Sequence, residues 1–130
     1  DVDLWLRIAA TGKWRFYLEK QILAYYRVRP SGLSFNFVQM RNCGEMVIES
    51  ACKRSPELIK PMLPTVYAYM YRYLSRLCLQ SGDMKTAQDF IDQALICDKS
   101  IFSKDVRSLL TLMSVRMAPL AKLAVRRSLG

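Results

Sequence analysis

The chain has 130 residues, of which 52% are hydrophobic and 24% charged, and its formal net charge is +9. This length allows one compact domain, or one small domain with an appendage. The sequence contains no histidine and only five glycines, which excludes Ser-His and Cys-His nucleophile pairs, histidine-containing metal motifs and glycine-rich phosphate loops. Any catalysis would therefore depend on carboxylates. None of the four cysteines has Cys-x-x-Cys spacing, so we expect reduced core thiols.

The first elements of the chain are predicted to be one short helix and two short strands. Residues 3–10 contain helix formers and end before Gly12, a favourable residue just beyond a helix C-terminus. Aromatic and branched residues dominate 14–18 and 22–28, which predicts two strands or extended segments. Residues 29–32 are predicted to form a turn or loop because they include a proline and a glycine.

From residue 34 onward the sequence predicts one helix after another. Apolar residues recur at helical spacing over residues 34–52, with Ser34 as the candidate N-cap. Ser55 and Pro56 mark a second start, because proline is favoured at the first position of a helix. A longer helix is predicted over residues 64–80. The fold class predicted for the whole chain is therefore mainly α, a helical bundle.

A helix hairpin is predicted around Gly82. Residues 81–83 have the composition of a tight turn, and Asp83 is placed to cap the following helix. The residues around this turn resemble a tetratricopeptide repeat in their spacing: Tyr71, Leu74, Ser75, Cys78, Gly82, Ala87, Ile91 and Ala94. Repeat arrays need about three units for stability, and one unit is visible here. We therefore expect a repeat-like hairpin, or an ordinary hairpin of a helical bundle.

The last part of the chain is predicted to be helical and is basic. A helix is expected over residues 103–113, and Pro119 is expected to open another. The apolar stripe of the first of these helices comprises Val106, Leu109, Leu110 and Met113. Five cations and no acidic residue follow Asp105. This charge favours an anionic partner, either nucleic acid, lipid headgroups or a diphosphate substrate, and a solvated basic helix face is the alternative.

The N-terminal quarter of the chain resembles the family 2 glycosyltransferases. Residues 1–7 read Asp-Val-Asp-Leu-Trp-Leu-Arg, similar to the family motif Glu-Asp-x-Asp-Leu-Trp-Leu-Arg that opens a helix near the acceptor site. Residues 23–29 read Leu-Ala-Tyr-Tyr-Arg-Val-Arg, similar to the family's closing segment, and serines follow. The resemblance implies that residues 1–33 are the C-terminal end of a catalytic domain of the GT-A type. Residues 34–130 would form a helical C-terminal domain.

The resemblance also implies roles for six residues. The family transfers a sugar from a nucleotide-sugar donor to an acceptor hydroxyl, usually with inversion, and inversion needs a carboxylate base. Asp1 aligns with that base. Asp3 would cap the helix, bond nearby backbone or contact substrate, and Trp5 and Arg7 would shape the acceptor site or serve a structural role.

The loop after the second predicted strand is a further candidate site. Arg29 stands where family members often have a histidine near the metal, so this resemblance implies no metal role for the loop. Arg27 and Arg29 remain candidate contacts of the donor diphosphate, because guanidinium groups bind phosphates in a bidentate manner. The alternative is that both are solvated arginines beside a proline turn.

The resemblance sets expectations for partners and cofactors. The family's donor-binding half and its Asp-x-Asp metal motif have no counterpart in this sequence, so we expect no cofactor and no activity in the chain alone. Its parent enzyme would use a divalent metal, Mg or Mn, a nucleotide-sugar donor and a glycan or lipid-linked acceptor. Bacterial polysaccharide biosynthesis is the expected setting, in the cytoplasm, with peripheral contact at the inner membrane face through the basic C-terminal helix.

Two other function classes compete with this interpretation. One is a helical module that binds a protein or a membrane surface, favoured by the hairpin and the basic last helix. The other is a nucleic-acid binder, favoured by charge and by available tyrosines and tryptophans. The aromatic residues fall mostly on apolar stripes, so nucleic acid is not expected as a partner.

Overall fold

The computed structural model describes residues 2–25, 32 and 36–128, with side chains up to residue 117. Its helices are α1 (Val2–Ala10), α2 (Phe37–Arg54), α3 (Pro56–Ile59), α4 (Leu63–Ser81), α5 (Met84–Asp98), α6 (Ile101–Lys104) and α7 (Val106–Ser128), with a 3-10 turn at Lys60–Met62 between α3 and α4. The prediction of a mainly helical chain is confirmed. Across the described residues, no helix has the length and apolar character needed to span a membrane.

The two strands predicted near the N-terminus are not seen. Residues 14–25 have no regular secondary structure, and residues 26–28 lie outside the described part of the chain. A strand needs a partner to hydrogen-bond its N–H and C=O groups, and the described residues offer this segment none. The β propensity of aromatic residues reflects their fit to a sheet surface, so it does not create a strand without a sheet.

The centre of the fold is the antiparallel hairpin of α4 and α5. Gly82 ends α4 in the left-handed conformation, with φ of +83°. Its N–H donates to the Leu79 carbonyl at 3.2 Å, and the Asp83 N–H donates to the Cys78 carbonyl at 3.0 Å. The Asp83 carboxylate then accepts from the Thr86 N–H at 3.1 Å and caps α5. The predicted turn and cap are confirmed.

Small residues allow α4 and α5 to pack closely. Ala68, Ala87 and Ala94 are fully buried. Ser75 is also fully buried, and its Oγ donates to the Ala87 carbonyl at 2.7 Å, which joins the middle of α4 to the first turn of α5. The same core contains Cys78, Ile91, Ile101, Phe102 and Val115. The hairpin, α6 and α7 therefore share one core.

Several predicted helix boundaries differ from the structure, among them the start expected at residue 103, which lies inside α6, whereas α7 begins at Val106. The helix α2 begins at Phe37, and its N-cap is Asn36, whose side chain accepts from the Gln39 N–H at 3.1 Å. The predicted cap, Ser34, lies outside the described residues. The backbone of α7 continues past Pro119, so the prediction that this proline opens a separate helix is wrong. A proline removes one backbone hydrogen bond, and the remaining backbone hydrogen bonds of a long helix can keep the helix intact.

The face of α7 that is buried is not its apolar stripe. Ser108, Thr111 and Val115 are buried. The side chains of the predicted stripe are exposed instead: Val106, Leu109, Leu110 and Met113. Burial of the two hydroxyls costs little because both are satisfied locally. Ser108 Oγ donates to Asp105 at 2.6 Å, and Thr111 Oγ1 donates to the Arg107 carbonyl at 2.8 Å.

Candidate functional site

The candidate site is centred on α1, which is held to α2 by an ion pair. Asp3 Oδ1 accepts from Arg54 Nη2 at 2.7 Å, and Asp3 Oδ2 lies 3.2 Å from Arg7 Nε. Arg54 Nη1 also donates to Ser50 Oγ at 2.6 Å, within α2. Both oxygens of the Asp3 carboxylate are therefore engaged by guanidinium groups, one on its own helix and one on α2.

These contacts keep Asp3 ionised. The pKa of Asp3 is lowered, chiefly by the hydrogen bond from Arg54 and further by the charges of Arg54 and Arg7. A carboxylate with a lowered pKa is a weaker proton acceptor, because an efficient general base has a pKa near the operating pH. The geometry suits Asp3 to positioning α1 through two arginine side chains, whereas the sequence led us to expect a helix cap, a bond to nearby backbone or a contact with substrate. Asp1, the expected base, lies outside the described residues.

Trp5 packs on the segment that follows α1. Its ring meets the Phe16 ring edge to face, with centroids 6.1 Å apart and planes at 73°. Trp5 is nevertheless 54% exposed, so it is not the core residue that one reading of the sequence allowed. Its free indole surface could stack against a sugar or another apolar group.

An apolar groove of about 170 Å³ separates α1 from α2 and α3. It is lined by Leu6, Ala9, Ala10, Ala51, Arg54, Ser55, Leu58 and Ile59. Pockets for drug-sized ligands usually measure about 300–1,000 Å³. The groove is therefore too small to enclose a nucleotide sugar.

The structure brings together three of the predicted site residues. Asp3, Trp5 and Arg7 share the short helix α1. Arg27 and Arg29 lie outside the described residues, as Asp1 does. Among the side chains that are described, no three His, Cys, Asp or Glu residues are grouped so that they could hold a metal ion.

Sequence reasoning missed Arg54 as a member of this site. It lies in the last turn of α2, where a cation is favoured by the helix dipole. That signal explains a basic residue there, but it does not reveal the partner Asp3, which is 51 residues away. Only the fold places the two together.

No family model, curated protein or solved structure matches this chain.

Proposed function

We propose that residues 1–33 are the closing part of the catalytic domain of a family 2 glycosyltransferase and that residues 34–130 are its helical C-terminal domain. The whole enzyme would transfer a sugar from a nucleotide-sugar donor to an acceptor hydroxyl of a cell-surface or lipid-linked glycan. The sequence of residues 1–7 and of residues 23–29 supports the proposal, because two separate segments resemble the family's motifs and follow the family's order.

The structural observation that carries the proposal is the exposed apolar segment after α1. Its large side chains are exposed: Trp14, Phe16, Tyr17, Leu18, Ile22, Leu23 and Tyr25, the last at 93%. An exposed segment rich in large apolar side chains, with a few charged and polar residues between them, is typical of an interaction surface. Because the segment is also rich in β-forming residues, a sheet edge is the partner that suits it best. A catalytic domain of the GT-A type would supply that sheet.

The proposed roles follow the chemistry of the side chains. Asp1 takes the proton of the acceptor hydroxyl as it attacks the anomeric carbon. Asp3 positions α1 through Arg54, and Trp5 and Arg7 border the acceptor. Arg27 and Arg29 would contact the donor diphosphate, since guanidinium groups recognise phosphate oxygens. The proposed site residues are therefore Asp1, Asp3, Trp5, Arg7, Arg27 and Arg29. A divalent metal would be held by the donor half, outside these residues.

The coding sequence immediately upstream of Asp1 is the most direct test. The proposal expects a Glu codon directly before Asp1 and an Asp-x-Asp sequence further upstream, within a region that predicts alternating strands and helices. An upstream region with neither feature would overturn the assignment to this family.

Asparagine substitutions at Asp1 and Asp3 test the two carboxylates separately in the enzyme that includes the donor half. Asp1→Asn should lower the rate of sugar transfer by about two to four powers of ten, because a general base contributes that much. Donor affinity should be nearly unchanged, and the fold should survive because an asparagine still caps a helix. Asp3→Asn should be milder. If the Asp1→Asn enzyme were active and the Asp3→Asn enzyme inactive, the roles assigned to Asp1 and Asp3 would be wrong.

A second candidate function, a helical interaction module, is favoured by one observation. The exposed apolar residues of α7 lie on the side of the helix that faces away from the core. Such a face is available to a partner, and a binding function is compatible with sugar transfer within one protein.

A further inference from the structure

On α7 a row of apolar side chains is exposed to solvent, whereas two polar side chains on the opposite face are buried. At about 100° per residue, Val106, Leu110, Met113 and Met117 fall within about 60° of one another. All four are exposed, as is Leu109 beside them. The opposite side of the helix carries the buried residues Ser108, Thr111 and Val115. We call the exposed set, Val106, Leu109, Leu110, Met113 and Met117, the outer stripe.

Cations border the outer stripe. Arg107 and Arg116 lie on its two sides, at about 100° and about 80° from its centre line by helical geometry. Arg116 is held there by an ion pair with Asp92 on α5. From Val106 onward the sequence has five cations and no acidic residue. An apolar stripe between cations is the pattern of helices that lie in the interface of an anionic membrane.

We propose that the outer stripe docks on the surface of a membrane that contains anionic lipids, with α7 lying in the plane of the interface. The apolar side chains enter the boundary between headgroups and acyl chains, and Arg107 contacts lipid phosphates, whereas Arg116 already pairs with Asp92. This inference stands on the geometry and charge of α7, and it does not depend on the proposed glycosyltransferase activity.

A second copy of the chain fits the outer stripe less well. The stripe extends over only 12 residues, or about 16 Å of one helix. A stable dimer usually buries about 800 Å² on each partner, which is much more area than a strip of this length offers. Apart from Arg116, which pairs with Asp92 on α5, the cations of two paired α7 helices would repel one another, because no acidic residue follows Asp105. A lipid surface supplies the missing negative charge.

Vesicle co-sedimentation tests the proposal with the 130-residue chain. The chain should bind vesicles of phosphatidylcholine with about a third phosphatidylglycerol more tightly than vesicles of phosphatidylcholine alone, by about tenfold or more, because each basic residue near the surface adds to the attraction. Equal binding to both vesicles, or binding to neither, would overturn the proposal.

A pair of double variants assigns the binding to the outer stripe. Leu110→Gln with Met113→Gln should lower vesicle affinity at least about tenfold, because two apolar side chains no longer enter the interface. The matched control is Val38→Gln with Met46→Gln on α2, whose side chains are 67% and 69% exposed, and it should bind like the unchanged chain. Circular dichroism should be the same for all three, because all four positions are exposed.

Two outcomes of this comparison would contradict the proposal. One is equal loss in the stripe and control variants, which would indicate nonspecific hydrophobic adsorption. The other is a dimer of the unchanged chain in sedimentation velocity that the stripe variant abolishes, which would make a second copy the occupant.

Discussion

At the scale of single residues, Cys78 shows how burial changes chemistry. Its side chain is fully buried at the centre of the α4–α5 hairpin. Burial, and to a smaller extent the nearby charge of Asp83, raises the pKa of the Cys78 thiol to about 12. The thiolate is the reactive form of cysteine, so this thiol is inert at neutral pH. Cys43, by contrast, is exposed.

The raised pKa predicts that alkali destabilises the fold through Cys78. Above pH 9.0 the unfolded chain loses this proton, while the folded chain retains it up to about pH 12. The stabilisation that depends on the neutral Cys78 thiol should therefore be fully present below pH 9. It should be lost as the pH rises from 9 to about 12, which would lower the free energy of unfolding by up to about 4 kcal/mol.

Urea denaturation at pH 7.5, 9 and 10 measures this effect. The tyrosines Tyr67 and Tyr71 also have raised pKa values because of burial, so the informative quantity is the difference between variants. Cys78→Ala should reduce the loss of stability between pH 7.5 and 10, whereas Cys43→Ala should leave it unchanged. Equal pH dependence in both variants would show that Cys78 does not titrate differently in the two states.

At the scale of elements, the α4–α5 turn depends on the backbone conformation of Gly82. This residue has φ of +83°, and a Cβ added to it would meet no atom within 4 Å. Any cost of substitution is therefore conformational, and no steric clash contributes. The left-handed conformation costs residues with a Cβ about 1–2 kcal/mol, and asparagine tolerates it better than alanine does.

Substitutions at Gly82 should follow that order. Gly82→Ala should lower the free energy of unfolding by about 1 kcal/mol, and Gly82→Asn should lower it by less. Chemical denaturation with unchanged helical circular dichroism is the measurement. A stability of Gly82→Ala equal to that of the unchanged chain would mean that the turn does not require the left-handed conformation.

The helical character of the chain and the α4–α5 hairpin were predictable from sequence, but the start of α7, its continuation past Pro119 and its buried face were not. Gly82 and Asp83 signal a turn and a cap through local chemistry, so the hairpin could be placed before the structure was known. Periodicity also located the apolar stripe of α7, from Val106 to Met113, but it does not state which side packs inward. Side-chain polarity does not make that choice either, because the Ser108 and Thr111 hydroxyls on the buried side are satisfied locally, by Asp105 just before α7 and by the Arg107 carbonyl.

At the scale of the whole molecule, the described residues form a helical core with an exposed N-terminal segment. Of the candidate site, the sequence motif placed Asp3, Trp5 and Arg7 on one helix, as the structure has them. It could not reveal that Arg54 holds Asp3, because that contact depends on how α1 packs against α2. The strands expected at 14–18 and 22–28 require a sheet, and none exists among the described residues.

The isolated chain should therefore fold as a helical protein without binding a nucleotide sugar. Circular dichroism should be dominated by helix. Calorimetry with uridine and guanosine diphosphate sugars should show no saturable binding, with or without Mg or Mn, because the donor-binding half that we propose for the enzyme has no counterpart in this sequence. Tight binding of either sugar nucleotide to this chain would contradict the proposal that another part of the enzyme binds the donor.

The Ser75–Ala87 hydrogen bond and the short connection at Gly82 have a consequence for how the chain folds. The turn that joins α4 to α5 is short, so little loop-closure entropy is lost when the first contacts beside Gly82 form. Pairing of helices that follow each other directly in sequence favours rapid folding. The hairpin is thus suited to form early and to provide the surface against which α2 and α7 pack.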